Sequence, residues 1–218
     1  IIGIAGAGRQ ISEDVYEAIE KYVEDEECNF RKITDYAKII MAVTALNGDP
    51  RNVAGYDILE KIYNNENITL QGTNGPAFAL IALDTGDYII PKDGLWTRER
   101  LVEWILKQQN TDGGFPLVYG DTSNIDITAM VIQSLSKYRE NLKVAGTIER
   151  ALEFLSSKQS SSGGYETWGD DSSESISQVI IALAGLGIDP YDQRFVKKGN
   201  LLSKLLSFKE AGGGFSHI

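Results

Sequence analysis

The reactive side chains of this chain set the chemistry open to it. One cysteine, Cys28, and one histidine, His217, stand among 31 acidic and 21 basic residues in a total of 218. A serine or cysteine triad would have to recruit His217 from the terminal tail as its base, and no nucleophile–base arrangement is legible around it. A zinc centre for thiolate chemistry needs Asp, Cys and His donors together, and Cys28 lies far along the chain from the histidine. Carboxylates are what remain. Asp126 heads an apolar helical stretch, where a lone carboxylate reads as a helix N-cap accepting backbone N–H bonds. Two acidic loops, Asp121-Thr122-Ser123-Asn124-Ile125-Asp126 and Gly169-Asp170-Asp171-Ser172-Ser173-Glu174, carry oxygen donors of the type calcium prefers but lack the spacing of a calcium loop. No metal or cofactor is expected. Aromatic and amide tips complete the set: Tyr119 and Trp168 stand beside those loops, with Tyr36 and Asn74 in related places earlier. Gathered at one rim, Tyr36, Asn74, Tyr119, Asp126 and Trp168 form a candidate ligand-binding site, stacking and hydrogen bonding at the edge of a cavity.

Helices in a regular repeat must position these residues. A helix end runs through two glycines into an aromatic residue at Gly113-Gly114-Phe115, Gly163-Gly164-Tyr165 and Gly213-Gly214-Phe215, at intervals of fifty residues. A fixed period of that size is the signature of a repeat architecture. Each of the first two copies continues through a polar loop into an apolar helix, such as Ala129 to Leu135, and then a one-sided helix, such as Ile148 to Leu155. The first kind needs burial on every side and the second on one face only, so the unit is a helix hairpin with an inner and an outer member. The three aromatics are expected to plug the gaps between hairpins.

Earlier elements follow the same grammar. Ser12 with Glu13-Asp14 starts an outer helix through Val15, Ile19 and Val23. Asp35 to Leu46 reads as an inner helix stopped at Asn47-Gly48-Asp49-Pro50, with the glycine expected at positive φ, and Gly187-Ile188-Asp189-Pro190 repeats that stop. Ile58 to Tyr63 is a short outer helix, and Asn74-Gly75-Pro76 opens the inner helix through Leu83. Thr97 caps the outer helix through Leu101 and Leu106, later inner helices begin near Asp126 and Ser175, and Leu201 to Phe208 is the last outer helix. The count is about nine helical stretches. Ile1 to Gly8 looks like the tail of an inner helix, which predicts that the chain is cut from a longer protein.

Bulk properties narrow the class. The length suits one domain over 1–218, truncated at both ends. A net charge of −10 without a Lys/Arg stripe argues against nucleic acid and anionic membranes as partners. No apolar run is long enough to span a bilayer, and no signal peptide is present.

The Gly-Gly-aromatic turns, with Ala-rich helices starting after an acidic loop, resemble the prenyltransferase and squalene-oxidase repeat over nearly the whole chain. Asn52-Val53-Ala54-Gly55, Gly75 to Asp84 and Ser173 to Leu183 further resemble repeat domains of clostridial-type cell-surface proteins. The resemblance implies an all-α fold, an α/α toroid built as an incomplete α-α barrel of repeated helix hairpins. Terpene cyclases of this fold protonate an alkene with the middle Asp of an Asp-x-Asp-Asp motif, and Asn124-Ile125-Asp126-Ile127 is similar to it but keeps that middle carboxylate alone. The zinc Asp/Cys/His set of protein prenyltransferases is absent, so the balance leans away from an enzyme. The expected function is a non-enzymatic binding or structural module of a secreted or cell-surface bacterial protein, extracellular or in the cell wall. Its partner would be a small molecule or a cell-surface protein, with self-association through the open repeat ends. The alternatives are a cobalamin-carrier-like binder, suggested by Thr73-Asn74 and Asp126 to Met130, and a terpene-cyclase- or prenyltransferase-like enzyme.

Overall fold

The computed structural model describes residues 3, 8, 11, 12, 14–167 and 169–217. Most of the stretch from Ile1 to Gly8, expected to end an inner helix, lies outside them. Nine α-helices are present among the described residues, with a two-stranded ribbon of two residues per strand as the named sheet. The chain is all-α, and it divides into two compact units, Ile1–Trp104 and Ile105–Ile218.

In the first unit, α1 (Asp14–Asp25) is one-sided, with acids Asp14 and Glu17 in its first turn, where they complement the helix dipole. Helix α2 (Ile33–Ala45) is buried nearly all round, through Ile33, Tyr36, Ala37, Ile39, Ile40 and Val43. Short α3 (Glu60–Tyr63) buries Ile62 and Tyr63, and α4 (Asn74–Leu83) is again apolar on all sides. Helices α2 and α4 pack on each other as the apolar pair of this unit. Gly75, in the first turn of α4, lets that helix close on the segment before it, since an added Cβ would stand 2.0 Å from the Ile68 carbonyl oxygen. Helix α5 (Arg98–Leu106) runs across the division between the units, and the Thr97 hydroxyl accepts from the Arg100 N–H at 3.4 Å, the expected cap. The loop before α2 is tied down by Tyr36, whose hydroxyl donates to the Cys28 carbonyl at 3.1 Å and accepts from the Phe30 N–H at 2.9 Å. Cys28 is fully buried.

The second unit repeats the scheme. Helix α6 (Ile125–Leu135) is buried on nearly every side, α7 (Leu142–Lys158) on one stripe, and α8 (Ser173–Leu186) lies against α6. Strands β1 (Glu166–Thr167) and β2 (Asp170–Asp171) pair antiparallel just before α8, and α9 (Leu201–Leu206) packs on α8. All three Gly-Gly-aromatic turns fall in this unit and share their hydrogen bonds. Asn110 N–H donates to the Gly114 carbonyl at 2.9 Å, Ser160 to Gly164 at 3.0 Å and Glu210 to Gly214 at 3.1 Å. In the first two, a glutamine clamps turn to neighbour. Gln109 Nε2 donates to the carbonyls of Gly113 and Thr147, and Gln159 Nε2 to those of Gly163 and Phe195. Lys209 takes that place in the third.

Two expectations change in detail. The residue at positive φ after α2 is Asn47 (φ 60°) and not Gly48, because the Asn47 amide side chain tolerates the left-handed region. At the matching stop after α8 it is the glycine, Gly187, with φ 71°. Phe115 and Tyr165 plug their turns completely, but Phe215 is 50% exposed and plugs nothing.

Candidate functional site

The chemistry concentrates at the heads of α6 and α8. The backbone of Asn124 is extended and bridged to Phe115, so the helix starts immediately after it and its side chain accepts from the Ile127 N–H at 3.0 Å. Asn124 is therefore the cap, and the capping role expected of Asp126 is corrected. With the helix beginning at Ile125, Asp126 sits inside the first turn, too late to cap it. Its Oδ1 is sealed from solvent and has no hydrogen-bond partner among the described residues. Ile127, the next residue, is buried. Helix α8 begins two residues before Ser175, and Ser172 caps it by accepting from the Ser175 N–H at 3.3 Å.

Asp126 lines a cavity of about 330 Å³ together with Ser123, Asn124, Phe154, Lys158, Glu166 and Ser175. Four elements build it: the loop and first turn of α6, the last turns of α7, strand β1 and the head of α8. The Lys158 ammonium lies 5.5 Å from the centre of the Phe154 ring, a cation–π contact at the cavity wall. A second cavity of about 520 Å³ adjoins it through Ser123 and Asn124 and is walled by Leu117, Gly120, Asp121 and Thr122.

The surrounding carboxylates are held by local partners. Burial works against the charge of Asp171, but hydrogen bonds from Lys204 and Ser162 outweigh it and hold the carboxyl below its usual range. At Glu174, the hydrogen bond with the His217 ring at 2.6 Å is the main cause of a lowered value. Tyr165 is the opposite case. Its buried hydroxyl donates to the Leu155 carbonyl at 3.1 Å, and desolvation pushes its ionisation far above the ordinary range.

The predicted site residues are distributed as follows. Asp126 is in the cavity wall. Tyr119 stands 79% exposed in the loop between Leu117 and Gly120, which belong to the neighbouring cavity. Tyr36 and Asn74 are in the first unit, at the starts of α2 and α4; Tyr36 is buried with its hydroxyl engaged by backbone, and Asn74 is half-buried. Trp168 lies outside the described residues. Sequence reasoning missed Phe154, Lys158, Glu166 and Ser175 as wall residues, since they come from three separate elements; the only available signal was a basic residue ending α7. Among the described residues no group of three or more His, Cys, Asp or Glu is placed to hold a metal ion. No helix among them is long and apolar enough to cross a membrane.

No curated protein and no solved structure matches the chain. The model of the family described as the prenyltransferase alpha-alpha toroid domain does match, over residues 66–218, which takes in α4 to α9 and all three glycine-aromatic turns. The chain belongs to the prenyltransferase alpha-alpha toroid family.

Proposed function

We propose that the chain is a binding module rather than a catalyst, and that the cavity at the heads of α6 and α8 holds its ligand. The observation that carries this is the state of the Asp126 carboxylate. A proton donor able to attack an alkene needs neighbouring groups that raise its acidity. Here Asn124 is spent on capping α6 and Ile127 is buried hydrocarbon. What the cavity wall brings together instead is one part-buried carboxyl with a lysine, a glutamate and an aromatic ring. Such a wall orients a ligand through a few polar contacts.

The module serves a secreted or wall-attached bacterial protein, a reading supported by the likeness of Gly75 to Asp84 and Ser173 to Leu183 to clostridial-type surface repeats. Native mass spectrometry of the purified protein tests the binding role. A small molecule that co-purifies and is lost on Asp126→Asn supports it. Turnover of an isoprenoid or a prenyl diphosphate, read by product chromatography, refutes the non-catalytic reading.

A further inference from the structure

We infer that the open third turn, around Phe215, is a docking face for a second copy of this chain, and that α1 of that copy is what covers it. The two closed turns show what a cover consists of. Over the first, the backbone of α7 comes down at Arg150, whose carbonyl oxygen lies 2.5 Å from where a Gly113 Cβ would stand, and Gln109 Nε2 reaches the Thr147 carbonyl of the same helix. Over the second, the approach to α9 does the same, with Asn200 against Gly163 and the Phe195 carbonyl accepting from Gln159. In both, the next outer helix or the residues leading into it bring backbone to the glycine and an acceptor to the clamp. At the third turn a Cβ on Gly213 or Gly214 would meet nothing within 4 Å. Its surface is apolar. Leu206 and Phe215 are exposed, and Lys209 joins them, its N–H donating to the Leu206 carbonyl at 3.2 Å and its backbone bridged to Phe215.

Helix α1 is the outer helix with surface to spare. Where α7 buries Val144, Ile148, Ala151, Leu152 and Leu155 along its stripe, α1 buries Val23. Val15, Ala18 and Tyr22 recur at helical spacing along one edge, with Ala18 and Tyr22 exposed and Val15 half-buried. The small Ala18 at the middle of that edge leaves the helix backbone within reach, which the close approach seen at Gly113 requires.

Charge selects this pairing. From Lys197 to Lys209 there are four lysines and no acid, ahead of Glu210, and Lys204 already bridges Asp171. From Asp14 to Glu27 seven acids stand against Lys21, which pairs with Asp25. Lys209 holds the place of the clamping glutamine, where an ammonium donates to a carbonyl as the amide does and also meets carboxylates. Copies of net charge −10 repel one another at long range, so a contact that joins this basic segment to the acidic helix is the one their charges favour. The two faces differ, so the association is head-to-tail and each copy offers both.

Sedimentation velocity of the whole chain, from about 10 μM to about 1 mM, reads the association. The sedimentation coefficient is expected to rise with concentration. Lys209→Glu and Asp25→Lys change exposed residues, Asp25 bordering the apolar edge three positions on from Tyr22, and should leave the helical circular dichroism unchanged. Each alone should weaken self-association about tenfold, since an attraction becomes a repulsion. An equimolar mixture of the two should recover the wild-type behaviour, because every contact between unlike copies again joins opposite charges. A chain that stays monomeric throughout overturns the inference and leaves the turn to another occupant. Association that survives both substitutions, or that is lost in each and not regained on mixing, overturns the pairing of these two faces.

Discussion

Two of the three glycine-aromatic turns are closed and one is open, although their backbones make the same hydrogen bonds. Around Gly163, an added Cβ would stand 2.5 Å from the Asn200 backbone nitrogen, and around Gly113 the same distance from the Arg150 carbonyl oxygen. Around Gly213 it would meet nothing within 4 Å. Tyr165 and Phe115 are sealed, whereas Phe215 is half in solvent. The second glycine also differs, since Gly214 takes a positive φ of 85° and Gly114 and Gly164 do not. The local turn is thus written in its own residues, and its burial is written in what packs over it. That separates conformational from packing requirements at matched positions.

Truncation of the sealed ring should have the largest effect. Tyr165→Ala is expected to lower stability by about 3–5 kcal/mol, because a large aromatic is lost from a fully packed site; chemical denaturation measures it. Gly163→Ala comes next, at about 3 kcal/mol, combining left-handed strain with a backbone clash, while Gly213→Ala should cost only the strain, about 1 kcal/mol. Equal losses for the two alanines would erase the distinction between the turns. Asp171, which accepts from Ser162 in the second turn, sharpens it further in acid. Its folded value lies below its ordinary 3.8, so its contribution is full above that pH and is lost as pH falls through the lowered value. Asp171→Asn should lower stability by about 1–2 kcal/mol near neutrality and flatten this part of the acid transition. The smallest effect is expected for Phe215→Ala, within about 1 kcal/mol, readable as a shift in thermal midpoint of a few degrees at most.

The same contrast explains what was legible in the sequence. The repeat, the apolar and one-sided helices and their order are carried by spacing, and spacing is local. Thr97 as a cap and Pro76 in the first turn of α4 were readable for that reason. The identity of the cap on α6 was not. Asn124 and Asp126 are both good capping types, and the choice falls to the bridge between Asn124 and Phe115, which fixes where the helix begins. Likewise Gln109 and Gln159 read as polar helix ends, yet each ties a turn to a carbonyl more than thirty residues onward. The cavity wall was hidden for the same reason: Phe154, Lys158, Glu166 and Ser175 have no common pattern along the chain and meet only through packing.

The buried thiol of Cys28 gives the first unit its own clock. It is the sole cysteine of the chain, fully buried, held in a left-handed backbone at φ 50°, with its carbonyl gripped by the Tyr36 hydroxyl. Burial also pushes its ionisation upward, with Lys61 only partly opposing, so the reactive thiolate is scarce in the closed state. A thiol reagent can therefore label the protein only as fast as the Cys28 loop opens, and the labelling rate becomes a direct reading of that opening. Tyr36→Phe, which deletes that grip together with the bond from the Phe30 N–H, should quicken the clock while leaving the second unit's unfolding untouched.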